Sequence, residues 1–163
     1  QLTSIQGKEK EKEGLKLKDE VTEALKSKDY ALALELLEKA QKLLDVELHC
    51  LQFLAILVNK CSCFNFFSMF DDVITVCLRG IRICRSVKSR VTTYLSPEDK
   101  KQLEGFEIRF LVRRSNAYIQ QNQFICSNLR IYNAKGDLED ALKLDPMNSS
   151  LKADLEKLRV LIN

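Results

Sequence analysis

Apolar positions recur along this chain at helical spacing. Leu17, Val21, Ala24 and Leu25 share one stripe, and Tyr30, Ala33, Leu34, Leu37, Ala40 and Leu44 resume it after Ser27-Lys28-Asp29. A helix-turn-helix hairpin is predicted between Leu15 and Leu44. A second is predicted from about Val46 to Arg85, with a long, unusually apolar first helix and a turn near Ser68 to Asp72, where Asp71 and Asp72 suit the positive end of the next helix. Ser96-Pro97-Glu98-Asp99 marks a helix start: a capping hydroxyl, proline at the first helical position and two acids facing the dipole. That helix should run through Arg113 to about Gln121. Asn128, Asn133 and Gly136 blur the following turn, Asp137 to Leu144 recovers helical spacing, and Asp145-Pro146 stops it. A last helix from Ser149 to Leu161 should carry Leu151, Leu155, Leu158 and Leu161 on one stripe. Gly7 to Lys18 is Lys/Glu low complexity, expected as a solvated helix or frayed tail.

Three pairs of small or β-branched residues repeat within this pattern: Ala33 with Ala40, Val73 with Gly80, and Ala134 with Ala141. Partners seven positions apart lie two turns apart on one helix face, where another helix can approach closely. Five glycines and two prolines in 163 residues supply few tight turns for a sandwich or barrel, so the fold is expected to be all-α. One domain at residues 15–163 is expected after a charged segment at 1–14, with repeats at about 15–45, 46–86 and 97–147 and a terminal capping helix at 149–162. Such a cap buries the open face of a stack.

The richest apolar stretch, Phe53 to Phe70, is broken by Asn59, Lys60, Ser62 and Asn65, short of the roughly 18 to 20 residues that a membrane span needs. No membrane association is expected. Gln1 is not an initiator methionine and no apolar leader follows it, so it is expected to mark a boundary within a longer protein. Six cysteines (Cys50, Cys61, Cys63, Cys77, Cys84, Cys126) lie mostly in apolar helical patterns, as core thiols do. Cys61 and Cys63, two apart, point about 200° from each other on a helix, unsuited to gripping one metal. His49 is expected at the surface or a helix end. No phosphate-binding loop, metal constellation or nucleophile relay is present, so neither an enzyme nor a cofactor is expected. Ten Lys or Arg between Arg79 and Arg114 face four acids there, which favours an acidic partner. Nucleic acid is disfavoured, since no recognition motif accompanies the charge and the net charge is only +3.

The closing string Asp137-Leu138-Glu139-Asp140-Ala141-Leu142-Lys143-Leu144-Asp145-Pro146-Met147-Asn148 resembles the end of a tetratricopeptide repeat. With the small pairs set at the family's twentieth and twenty-seventh positions, other motif positions fall on Leu17, Val21, Ala24, Tyr30, Leu37 and Asp45 in the first copy. In the second they fall on Leu57, Cys61, Phe64, Cys77 and Arg85, and in the third on Leu111, Ser115, Tyr118, Leu138 and Pro146. The copies exceed the 34-residue family period. The additions are expected as lengthened helices or loops between Ser86 and Gly105 and between Tyr118 and Ala134.

The resemblance implies a right-handed array of antiparallel helix hairpins that binds peptides. One subgroup grips the acidic C-terminal tails of cytosolic heat-shock chaperones through a carboxylate clamp, and its five positions correspond here to Lys18, Thr22, Asn59, Arg109 and Arg113. Arg109 and Arg113 are four apart, so their guanidinium groups project together and suit a carboxylate. Thr22 replaces an asparagine and brings one donor in place of two. The resemblance thus implies a cytoplasmic co-chaperone adaptor for the tail of a seventy- or ninety-kilodalton-class heat-shock chaperone. Val112-Arg113-Arg114, the upstream insertion and the terminal Asp-Pro-x-Asn with its cap also resemble the C-terminal repeat domain of axonemal dynein assembly factors. The alternative is a scaffold in a larger assembly, its groove or its set of Phe53, Phe64, Phe66, Phe67 and Phe70 docking a partner helix.

Overall fold

The computed structural model describes residues 2–90, 95–123 and 128–162. Seven α-helices and no strand occur among them: α1 (Leu2–Lys26), α2 (Tyr30–Leu43), α3 (Cys50–Phe66), α4 (Phe70–Arg90), α5 (Pro97–Asn122), α6 (Asn128–Leu144) and α7 (Ser149–Ile162). The chain folds as an all-α array of helix hairpins. α1 packs on α2, α3 on α4 and α5 on α6, while α7 lies on α6; α2 against α3, α4 against α5 and α3 against α5 join successive pairs.

The first two hairpin turns follow one local rule. After α1, the Asp29 amide donates to the Ala24 carbonyl and the Lys28 amide to that of Leu25; after α3, Met69 donates to Phe64 and Ser68 to Asn65. This is a Schellman turn, whose penultimate residue takes left-handed backbone, and Lys28 (φ 59°) and Ser68 (φ 56°) occupy that place without being glycine. Asp29 then caps α2 by accepting from the Leu32 amide at 3.1 Å, and Ser96 caps α5 by accepting from that of Asp99 at 3.1 Å. At the other end Pro146 follows α6, and the Asn148 side chain caps α7 by accepting from the Leu151 amide at 3.1 Å.

The core divides along α3. Leu17, Val21, Ala24, Ala33, Leu36, Leu37 and Ala40 close on Cys63 in a small cluster. The opposite side of α3, with Leu54, Leu57 and Cys61, joins a larger cluster that runs through α4, α5, α6 and α7. All three small-residue pairs are buried. Gly80 is the extreme case: a Cβ there would lie within 2.6 Å of Phe110 Cζ and Cδ2.

Some expectations are narrowed and others change. α1 is continuous from Leu2, with residues 5–13 exposed, so the charged segment is the solvated helix of the two alternatives, and packing begins at Leu17. α4 continues past Ser86 to Arg90, and α5 is 26 residues long, so much of the excess repeat length is added helix. The blur around Asn133 and Gly136 is no turn: both lie inside α6, which starts at Asn128. The rest of that junction, with Cys126, lies outside the described residues. Leu161 is 63% exposed, because α7 has only α6 to pack on and Leu151, Leu155 and Leu158 suffice for that face. Phe66 and Phe67 are exposed, Phe66 stacking on Tyr30 at 4.2 Å between centroids, whereas Phe53 is buried.

Candidate peptide-binding site

The first-helix positions of the three pairs carry the expected site residues. On α5, Arg109 is exposed with its guanidinium 5.6 Å from the Phe106 ring centroid. One turn on, Arg113 is half-buried, and its Nη1 donates to Ser62 Oγ on α3 at 2.9 Å. Ser62 lies one turn beyond half-buried Asn59 on the same helix and donates to the Val58 carbonyl at 3.4 Å. The structure therefore brings Arg113 to the α3 face that bears Asn59. Lys18 and Thr22 are exposed on α1, which packs on α2 with no close backbone approach to α3 or α5. Thr22 Oγ1 donates to the Lys18 carbonyl at 2.9 Å, a common arrangement for threonine inside a helix. Its hydrogen is thereby committed to its own backbone.

Behind Arg113, Cys61 and Cys77 face each other with 3.5 Å between sulfurs, both fully buried. Their hydrogen bond lowers the Cys61 thiol, with Arg113 and Lys60 favouring its anion, and raises that of Cys77. In the third pair Ser115 Oγ instead donates to the Ala134 carbonyl at 3.0 Å. These small side chains let each pair close tightly while leaving no polar atom of their own unpaired.

Much of the cationic stretch is structural. Glu107, 3% exposed, accepts from Arg85 Nε at 3.1 Å and pairs with Lys88 Nζ at 2.9 Å, and Arg85 also reaches Asp140 at 3.5 Å. Arg114 grips Asp137, whose carboxyl burial pushes up against the pull of that guanidinium. Lys60, 8% exposed, donates to Gln41 at 2.9 Å and pairs with Glu38, tying α3 to α2. Sequence reasoning missed Ser62 and these pairs. Their signal was present as polar residues at otherwise apolar helical positions: Lys60 and Ser62 in α3, Glu107 in α5 and Asp137 in α6.

His49 caps the start of α3 without a side-chain bond to the helix, and its Nδ1 accepts from the Asp45 amide at 3.4 Å. Cys61 and Cys63 point into different core clusters. Among the described residues no group of three or more His, Cys, Asp or Glu is placed to hold a metal, and no helix is long and apolar enough to cross a membrane.

This arrangement is that of a tetratricopeptide-repeat fold. Among solved structures, the chain is similar to the TPR domain of OM64 from Arabidopsis, with a TM-score of 0.63 and 20% identity over 94% of this chain and 99% of that one. No family model matches the chain. No curated protein matches it.

Proposed function

We infer that this chain is a protein-interaction adaptor whose first-helix face takes the acidic C-terminal tail of a cytosolic heat-shock chaperone of the seventy- or ninety-kilodalton class. The observation that carries the reading is the Arg113 to Ser62 hydrogen bond, which holds a guanidinium on the Asn59 face of α3. Arg113 spends one N–H on Ser62 and keeps others for a carboxylate; Arg109, one turn away, adds a second cation. Asn59 offers an amide donor for a peptide carbonyl or terminal carboxylate, and Lys18 a cation from α1. A role in dynein arm assembly is the narrower form of this reading.

Titration calorimetry with a short peptide ending in Glu-Glu-Val-Asp tests it. Micromolar binding that is lost in Arg113→Ala, and lost again when the peptide C-terminus is amidated, supports the clamp; no binding by the folded chain overturns it. The commitment of Thr22 to the Lys18 carbonyl favours a second reading, a scaffold that docks a partner without gripping a free carboxylate. Binding indifferent to amidation would select it.

A further inference from the structure

The cationic stretch has a part that internal pairing does not absorb. On α4, Arg79 and Arg82 are exposed, and among the described residues no hydrogen bond or ion pair engages either. Arg79 is nonetheless held in place, its guanidinium 4.8 Å over the Phe53 ring. Stacking of this kind orients the group and leaves its N–H edge outward. Arg90 stands three turns beyond Arg79 and, among the described residues, pairs with the exposed Glu47 alone, at 3.9 Å.

These arginines border an open cleft of about 420 Å³ between α4 and the α2–α3 link, with Val46, Leu78, Ile83 and Val87 among its lining. From Thr75 to Arg90 the cleft face follows α4 for sixteen residues, about 22 Å, the length of roughly four helical turns. Its aliphatic part on α4 runs from Leu78 to Val87, about 14 Å, interleaved with Arg79 and Arg82, and an apolar face edged with cations matches the helix-in-groove mode of recognition. The charge decides the partner's flank, since Arg79, Arg82 and Arg90 outweigh Glu47. The floor decides its class: a phosphate backbone gains nothing from covering valine, leucine and isoleucine, whereas the stripe of an amphipathic helix does.

We propose that the α4 cleft is a second docking surface, for an amphipathic protein helix whose aliphatic stripe is flanked by Asp and Glu. It stands apart from the first-helix face of Asn59, Arg109 and Arg113, so one domain can hold a tail and a helix at once. The partner's carboxylates pair with Arg79 and Arg82 while its leucines cover Ile83 and Val87 beside Val46.

The test uses the whole chain and an acetylated, amidated peptide of about 16 residues, with leucines at helical spacing and glutamates on both flanks. Blocking the peptide ends removes any carboxylate-clamp contribution. Fluorescence anisotropy should give saturable binding, and amide shifts should map it to residues 75–90. Arg82→Glu/Arg90→Glu, which spares the Phe53 contact, should weaken it roughly tenfold or more and gain affinity for a lysine-flanked version of the peptide; Arg113→Ala should leave it unchanged. No saturable binding below about 1 mM overturns the proposal. So does binding indifferent to the charge reversal, or tighter arginine-dependent binding of a single-stranded RNA 16-mer or phosphatidylserine vesicles.

Discussion

Arg114 holds Asp137 with two parallel hydrogen bonds, Nη2 to Oδ1 at 2.7 Å and Nε to Oδ2 at 2.9 Å, fastening α5 to α6 inside the third pair. The side chains are 16% and 7% exposed, so removing one partner strands the other in a dry setting. Arg114→Ala should cost about 3 kcal/mol in urea denaturation. The double variant Arg114→Met/Asp137→Leu should recover most of that loss, because an apolar pair leaves no stranded charge.

Gly80 sits against the fully buried Phe110 ring. Gly80→Ala gains about 1 kcal/mol of helix propensity and meets an overpacking cost of about 1–3 kcal/mol. The ring has no exposed side toward which to retreat, so the larger cost should prevail and the melting temperature should fall. Phe110→Leu placed in the Gly80→Ala background should be milder than Phe110→Leu alone, a coupling that a double-mutant cycle reads directly.

The Thr22 hydroxyl is spent on the Lys18 carbonyl, whereas an asparagine amide brings two donors and reaches further. Thr22→Asn should therefore tighten binding of a free-carboxylate acidic tail by about fivefold, the equivalent of one hydrogen bond of about 1 kcal/mol. The amidated peptide should gain nothing, and calorimetry on both separates the two cases.

Burial, and then the nearby Glu107 carboxylate, pushes the Cys84 thiol from 9.0 up to about 12. In the folded chain it stays protonated where the unfolded chain ionises. The stability this contributes is whole below about pH 9 and is lost as pH rises through about 12. Urea midpoints should fall across that interval, less steeply in Cys84→Ala, and maleimide at about pH 8, where an unburied thiol is partly ionised, should label Cys84 only on unfolding.

The hairpins, the caps at Ser96 and Asp145-Pro146, and the buried small pairs were legible because each is a local rule written in spacing or residue type. Turns at Lys28 and Ser68 were legible only as breaks in the apolar stripe. Their left-handed backbone carries no glycine, so the conformation is imposed by the helices on either side. The α6 start is obscured because Asn133 and Gly136 are weak helix formers, and packing of Ile131 and Ala134 outweighs that preference. For the site, Arg109 and Arg113 at four-residue spacing could be read directly. Ser62 could not, since its partner lies 51 residues away and only the approach of α5 to α3 joins them.

The division of the core along α3 has a kinetic meaning. Each helix pair behaves as a link in a short chain of cooperative units. The first link, closed by Leu17, Val21, Leu37 and their neighbours on Cys63, has fewer buried side chains to hold it shut than the rest of the array. Lys18 stands on that weak link and Arg113 on the strong one. If the proposed acidic tail bridges them, it would act as a latch between the two links, and opening of the first pair would free its Lys18 end first.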